Sequence, residues 1–188
     1  MTRRILGIVG KKGSGKDTTG EYLIERYGYI RFAFGDKVKE VSRALFNFTD
    51  EQLYGSLKDK VDNRYGVRPR DVFQKIGTEF GQFDIHKLFP ELNQKIAPRS
   101  FWTLAFKDFC QQNPDKNIVI TDVRFRHEFK IIKEMGGEFI KVERNGLSLD
   151  SHISETELSN IKFERVLDNN YEKVDLYSQI DVLILVPF

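Results

Sequence analysis

Gly10, Gly13, Gly15 and Lys16 follow a short apolar run, and Gly10, Gly15 and Lys16 fall on the fixed positions of the phosphate loop G-x-x-x-x-G-K-[ST]. Glycines reach backbone angles closed to other residues, so successive N–H groups can turn inward around an anion, and a following helix adds its positive end. The stretch Lys12, Gly13, Ser14, Gly15, Lys16, Asp17 and Thr18 is thus expected to cradle the phosphates of a nucleotide, with Lys16 reaching the β- and γ-phosphates. The last motif position departs from the pattern, because it holds Asp17 where a hydroxyl residue is usual. A carboxylate is a hard oxygen donor and can take Mg²⁺ directly or through water. It also adds negative charge beside phosphates, which Lys11, Lys12 and Lys16 are placed to offset.

A second group with chemistry is Ile118-Val119-Ile120-Thr121-Asp122, an apolar strand ending in a carboxylate. An acid at the end of a strand beside a phosphate loop can organise Mg²⁺ or its waters. Arg124 and Arg126 come next, and Arg124 is expected to bind phosphate. Phosphoryl transfer needs positioning and charge neutralisation more than covalent chemistry. Further cations fit that need: Lys39 near the exit of the second strand, Arg64, Arg68 and Arg70 before a helix, and Arg144 at the end of the fourth strand. Arg144 precedes a polar segment, 145–160, which could close as a lid.

Strand-like and helical runs alternate around these groups, which predicts an α/β protein with a parallel sheet covered by helices. Strands are expected at Ile5–Val9, 29–34, 118–120, 138–144 and near Val166 and Leu167. Helical spacing marks 18–27, a helix capped by Asp36 that buries Val38, Val41, Ala44 and Leu45, and one from Pro69 to about Gln82. Ser100 is expected to cap a helix through roughly Gln112, and 125–135 reads as a helix stopped by Gly136 and Gly137. Period alone leaves 180–186 open between strand and helix. We expect one domain, with a core of about 1–48 and 113–188 and a helical substrate-binding region of about 49–112.

The chain has 188 residues, a 40% hydrophobic and 31% charged composition, and a net charge of +2, which gives no support for nucleic-acid or membrane partners. One cysteine, Cys110, excludes an internal disulfide framework and reads as a small buried apolar residue. The first strand is too short for a signal-peptide core or a membrane span, so a cytoplasmic location is expected.

Taken in order, Gly-Ser-Gly-Lys-Asp-Thr at 13–18, Phe34-Gly35-Asp36-Lys37-Val38-Lys39, Arg70-Asp71-Val72-Phe73-Gln74-Lys75-Ile76-Gly77-Thr78-Glu79, Thr121-Asp122-Val123-Arg124 with His127-Glu128, and His152-Ile153-Ser154-Glu155 resemble the deoxynucleoside monophosphate kinases of large bacteriophages. The resemblance spans nearly the whole chain, though the long insertion that some phage relatives carry between the Lys39 and Arg70 helices is missing. It implies a P-loop kinase fold of three α/β/α layers with a five-stranded parallel sheet and a short lid. It implies transfer of the γ-phosphate of ATP to dGMP, dTMP or a modified dCMP with Mg²⁺, in a homodimer and, for a virus, in the host cytoplasm. On the matching positions Lys16, Asp122, Arg124 and Arg144 would serve catalysis, and Asp17 and Asp122 the metal. Lys39, Arg70 and Arg124 would hold the acceptor phosphate, Gln74, Thr78 and Glu128 the base or sugar, and His152 and Glu155 would lie in or beside the lid. Phosphomevalonate kinase of the animal type is similar in the Lys-Asp form of the loop, but the stretch at 74–79 and the order of motifs favour a nucleotide acceptor. A slow triphosphate-hydrolysing switch is a third reading, and the Asn-Lys-x-Asp guanine reader expected of such a GTPase is missing from the sequence.

Overall fold

The computed structural model describes residues 3–147, 157–158 and 160–185. The chain divides into two compact units, one of residues 1–33 and 108–188, the other of residues 34–107.

The first unit is built on five strands, β1 (Ile5–Val9), β2 (Ile30–Phe32), β3 (Ile118–Ile120), β4 (Glu138–Glu143) and β5 (Val166–Asp168). They pair in the order β2-β3-β1-β4-β5, every pair parallel. Parallel neighbours need crossover connections and become buried on both faces, which is why β1 and β3 are apolar throughout and fully buried. On one face Leu6, Ile8, Val119, Ile140, Val142 and Leu167 pack with Leu23 of α1 (Lys16–Tyr27) and with Leu176, Ile180 and Leu183 of the C-terminal helix. Ile132 of α7 (Arg126–Glu134) is fully buried and lies beside Ile5 at Gly137. The C-terminal run is helical, over Lys173–Leu185 (here α8), which resolves the choice that period left open. Cys110 is buried and free.

In the second unit α2 runs over Phe34–Phe46, earlier than the sequence suggested. Asp36 therefore lies inside its first turn instead of capping it, and the buried face is Phe34, Val38 and Ser42, with Ala44 and Leu45 exposed. After α3 (Asp50–Leu53), whose capping box is formed by Thr49 and Gln52, comes a short 3₁₀ turn at Ser56–Asp59. The helix expected to stop near Gln82 continues: α4 (Pro69–Gln74) passes into a π-helical stretch, Lys75–Asp84, and ends as α5 (Ile85–Leu88). Trp102 is bound up with this widening. Its indole Nε1–H donates to the Gly77 carbonyl at 2.9 Å, and a Cβ built on Gly81 would stand 2.2 Å from that nitrogen. The wider π-helical turn redirects the inner face, so Gly81, Gln82, Ile85 and His86 are buried where a regular period would have turned some of them outward. The next helix along the chain, α6 (Thr103–Gln112), begins beyond Ser100, whose carbonyl accepts a hydrogen bond from the Thr103 hydroxyl at 2.6 Å.

Candidate active site

The phosphate loop joins β1 to α1, so Lys16 and Asp17 occupy the first turn of a twelve-residue helix. Gly15 carries φ of +107°, where side-chain-bearing residues are strained, and it hands the loop over to the helix. Gly10 is required for closeness: a Cβ there would stand 2.5 Å from the Val142 carbonyl and 2.6 Å from Ser14 Oγ. The Lys16 ammonium lies across the loop, donating to the Gly10 carbonyl at 2.6 Å and to the Lys11 carbonyl at 2.7 Å. Ser14 is buried, and its hydroxyl finds no hydrogen-bond partner among the described residues. An orphaned buried hydroxyl, a cradle that a single Cβ would fill and an ammonium over its mouth together fit a polyphosphate.

Asp122 follows β3, the strand paired with β1, and is half-buried. A Cβ on Gly20 would be 2.6 Å from Thr121 Cγ2, so only glycine lets α1, which carries Asp17, lie directly on the end of β3. Arg124 is exposed. Its backbone N–H donates to Glu128 Oε2 at 2.8 Å, and Phe125 N–H donates to the same oxygen at 3.0 Å. Glu128 is only 4% exposed, and burial, followed by the charge of Asp122, pushes its carboxyl up to about 8 even though two N–H groups favour the ionised form. By accepting from both N–H groups, the carboxyl fixes the Arg124–Phe125 backbone at the head of α7. Arg144 is exposed just after β4. His152 and Glu155 lie outside the described residues.

The remaining sequence candidates lie in the second unit. Lys39, on α2, approaches Asp36 at 3.5 Å and stands over the Tyr54 ring at 4.2 Å. Arg70 opens α4 and donates from Nε and Nη2 to the two carboxylate oxygens of Asp59. Gln74 ends α4 exposed, and Thr78 lies half-buried in the π-helical stretch. Two neighbouring arginines have structural partners: Arg64 grips the buried carboxylate of Asp62, and Arg68 pairs with Asp71. Arg64 holds Asp62 well below the usual carboxylate range, at one end of a loop that an Asp62–Val67 bridge closes. The aromatics of this unit that the sequence offered for base stacking pack instead: Trp102 lies against Gly81, and Tyr65 meets Phe46 edge-on at 5.2 Å. Sequence reasoning missed Gly20, the backbone role of Glu128, and Asn169. The Asn169 amide donates to the Ser14 carbonyl from a turn 155 residues away. Nothing in local spacing signals any of the three.

A phosphate loop after the first strand, a strand-end carboxylate on the neighbouring strand and this parallel sheet define a P-loop kinase. A sequence profile of the deoxynucleotide monophosphate kinase family matches residues 82–180. A candidate deoxynucleotide monophosphate kinase of Acanthamoeba polyphaga mimivirus is 40% identical over 181 residues, covering 94% of this chain and 93% of the viral protein. The chain belongs to the deoxynucleotide monophosphate kinase family, and it is an enzyme, a nucleotide kinase. The deoxynucleotide monophosphate kinase of Escherichia phage RB69 is 27% identical over 145 residues, 74% of this chain but 54% of the phage protein, so the match spans about half of that relative. Among solved structures, a dephospho-CoA kinase from Campylobacter jejuni aligns over 96% of this chain and 95% of its own, with TM-score 0.47 and 14% identity, a likeness too loose to bear on function. No helix among the described residues is long and apolar enough to cross a membrane.

Proposed function

We propose that the protein transfers the γ-phosphate of ATP to a deoxynucleoside 5′-monophosphate, giving ADP and the deoxynucleoside diphosphate, with dGMP, dTMP or a modified dCMP as acceptor. The observation that carries this reading is the cradle itself, with Lys16 across a loop whose Ser14 hydroxyl is buried and unpartnered, in a chain of this family. The loop N–H groups and the start of α1 bind the ATP phosphates, and Lys16 balances the charge of the transferring group. Mg²⁺, when bound, neutralises the phosphate oxygens. Asp17 and Asp122 would hold it directly or through water, with the nucleotide phosphates supplying further oxygens. Arg124 and Arg144 stabilise the charge that develops on transfer. The acceptor arrives already ionised, so no general base is needed, and Lys39 and Arg70 hold its phosphate.

Gln74 and Thr78 take the base or sugar, while Glu128 acts on the reaction through the Arg124 turn. His152 and Glu155 belong to the lid in this reading, and the working form is a homodimer in a host cytoplasm. Arg70 tests the acceptor assignment: Arg70→Ala should raise the KM for the monophosphate by about a hundredfold, the loss expected for a bidentate charge-assisted contact, with the ATP KM changed less than about twofold. Equal rises in both would remove Arg70 from the acceptor site.

A further inference from the structure

Beyond the residues that would touch substrate, one turn of the first unit grips the phosphate loop from behind. Asn169 follows β5, and its Nδ2 donates to the Ser14 carbonyl at 2.7 Å. A Cβ on Gly15 would come within 2.4 Å of that same nitrogen, so the amide is packed closely against the Ser14–Gly15 peptide. The turn is itself anchored on three sides. Asn169 N–H donates to the Glu143 carbonyl at 2.8 Å. Asp168 exchanges hydrogen bonds with the Gln179 side chain, its N–H to Oε1 at 2.9 Å and its carbonyl from Nε2 at 2.8 Å. Asn170 Oδ1 accepts from Asn145 N–H at 2.7 Å, at the root of the segment that follows Arg144. From that root Leu147 returns to the loop, its carbonyl accepting from Lys11 Nζ at 3.4 Å and its side chain in contact with the Cβ position of Gly13.

A phosphate loop works by turning its N–H groups toward the anion, which leaves carbonyls pointing the other way. A glycine peptide can flip cheaply, and a flip at Ser14–Gly15 would present a carbonyl to the phosphates in place of a donor. We propose that Asn169 is a positioning residue that locks this peptide in its phosphate-binding orientation, and that the 168–170 turn is a brace shared by the phosphate loop and the root of the segment after Arg144. The inference rests on the kinase reading only for what the loop binds.

The test uses the full chain and a fluorescent ATP analogue with Mg²⁺ and no acceptor. Asn169→Ala should weaken binding about tenfold, the loss of one hydrogen bond to a buried carbonyl. Asn169→Asp, which sets a carboxylate against the carbonyl and adds charge behind the loop, should weaken it more. In turnover the ATP KM should rise with the acceptor KM within about twofold of wild type, since both variants leave the second unit untouched. Wild-type affinity in both folded variants would overturn the proposal, as would equal rises in both KM values with a lost circular-dichroism signal. Failure of the wild type to bind the analogue would count against the kinase reading alone. The brace is then decided by the Gly15 amide, which should exchange with solvent faster in Asn169→Ala than in wild type; equal exchange overturns it.

Discussion

Asp17 is the residue at which this chain leaves the common phosphate-loop pattern, and its first-turn position on α1 puts a carboxylate where a hydroxyl ordinarily meets Mg²⁺. Asp17→Asn keeps the size and removes the charge. We expect turnover to fall about tenfold or more and half-maximal rate to need more Mg²⁺, whereas an unchanged Mg²⁺ titration would deny the metal role. Glu128 makes a prediction in pH. Its carboxyl is raised from an ordinary 4.5 to about 8 by burial and by Asp122, so the folded state binds the proton more tightly than the unfolded chain. Its contribution to stability is complete below 4.5 and is lost as pH rises toward 8, with a slope of up to about 1.4 kcal/mol per pH unit. Glu128→Gln keeps an acceptor for the Arg124 and Phe125 N–H groups and should flatten that slope in metal-free urea titrations. Parallel curves for the two proteins would refute a proton held in the fold. At this scale the glycines and Lys16 of the loop are legible because a phosphate loop is written in local spacing, whereas Asp122 shows only as a carboxylate ending an apolar strand. Glu128 could be listed as a candidate, but its hold on the Arg124 backbone emerges only once the turn has closed.

At the scale of elements, the stretch from Pro69 to Leu88 is legible in the sequence at its start but not in its extent. Pro69 announces a first helical turn, but a π-helical passage changes the period, so apolar spacing loses its meaning near Phe80. The contact that accompanies it is tertiary: Trp102 on Gly81, with its N–H on the Gly77 carbonyl. Gly81→Ala forces a methyl into the indole, and overpacking of this kind costs about 1–3 kcal/mol. The lone tryptophan reports on its own site, so urea unfolding followed by its emission should show that loss, and an unshifted midpoint would mean that the helix and Trp102 separate freely. The face of α2 was misread for a related reason. Phe34 already belongs to the helix, which rotates the buried side to Phe34, Val38 and Ser42.

For the whole molecule, the alternation of strands and helices was enough to foresee the parallel sheet, because buried parallel strands are apolar along their length. Strand order was not derivable from the residues, nor was the arrangement that brings β5 and its Asn169 turn to the back of the phosphate loop. The first core likewise joins Leu6 and Leu23 from one end of the chain to Ile180 and Leu183 from the other, a closure that no local period records. On this framework the proposed reaction passes a phosphoryl group from ATP to a deoxynucleoside monophosphate. The most direct measurement is to incubate the protein with ATP labelled at the γ-phosphate, Mg²⁺ and each of dGMP, dTMP, dCMP and dAMP, with phosphomevalonate alongside, and to separate the products. Label is expected in the deoxynucleoside diphosphate of at least one acceptor, with an equal yield of ADP. Label recovered only as free phosphate, or only on phosphomevalonate, would contradict it.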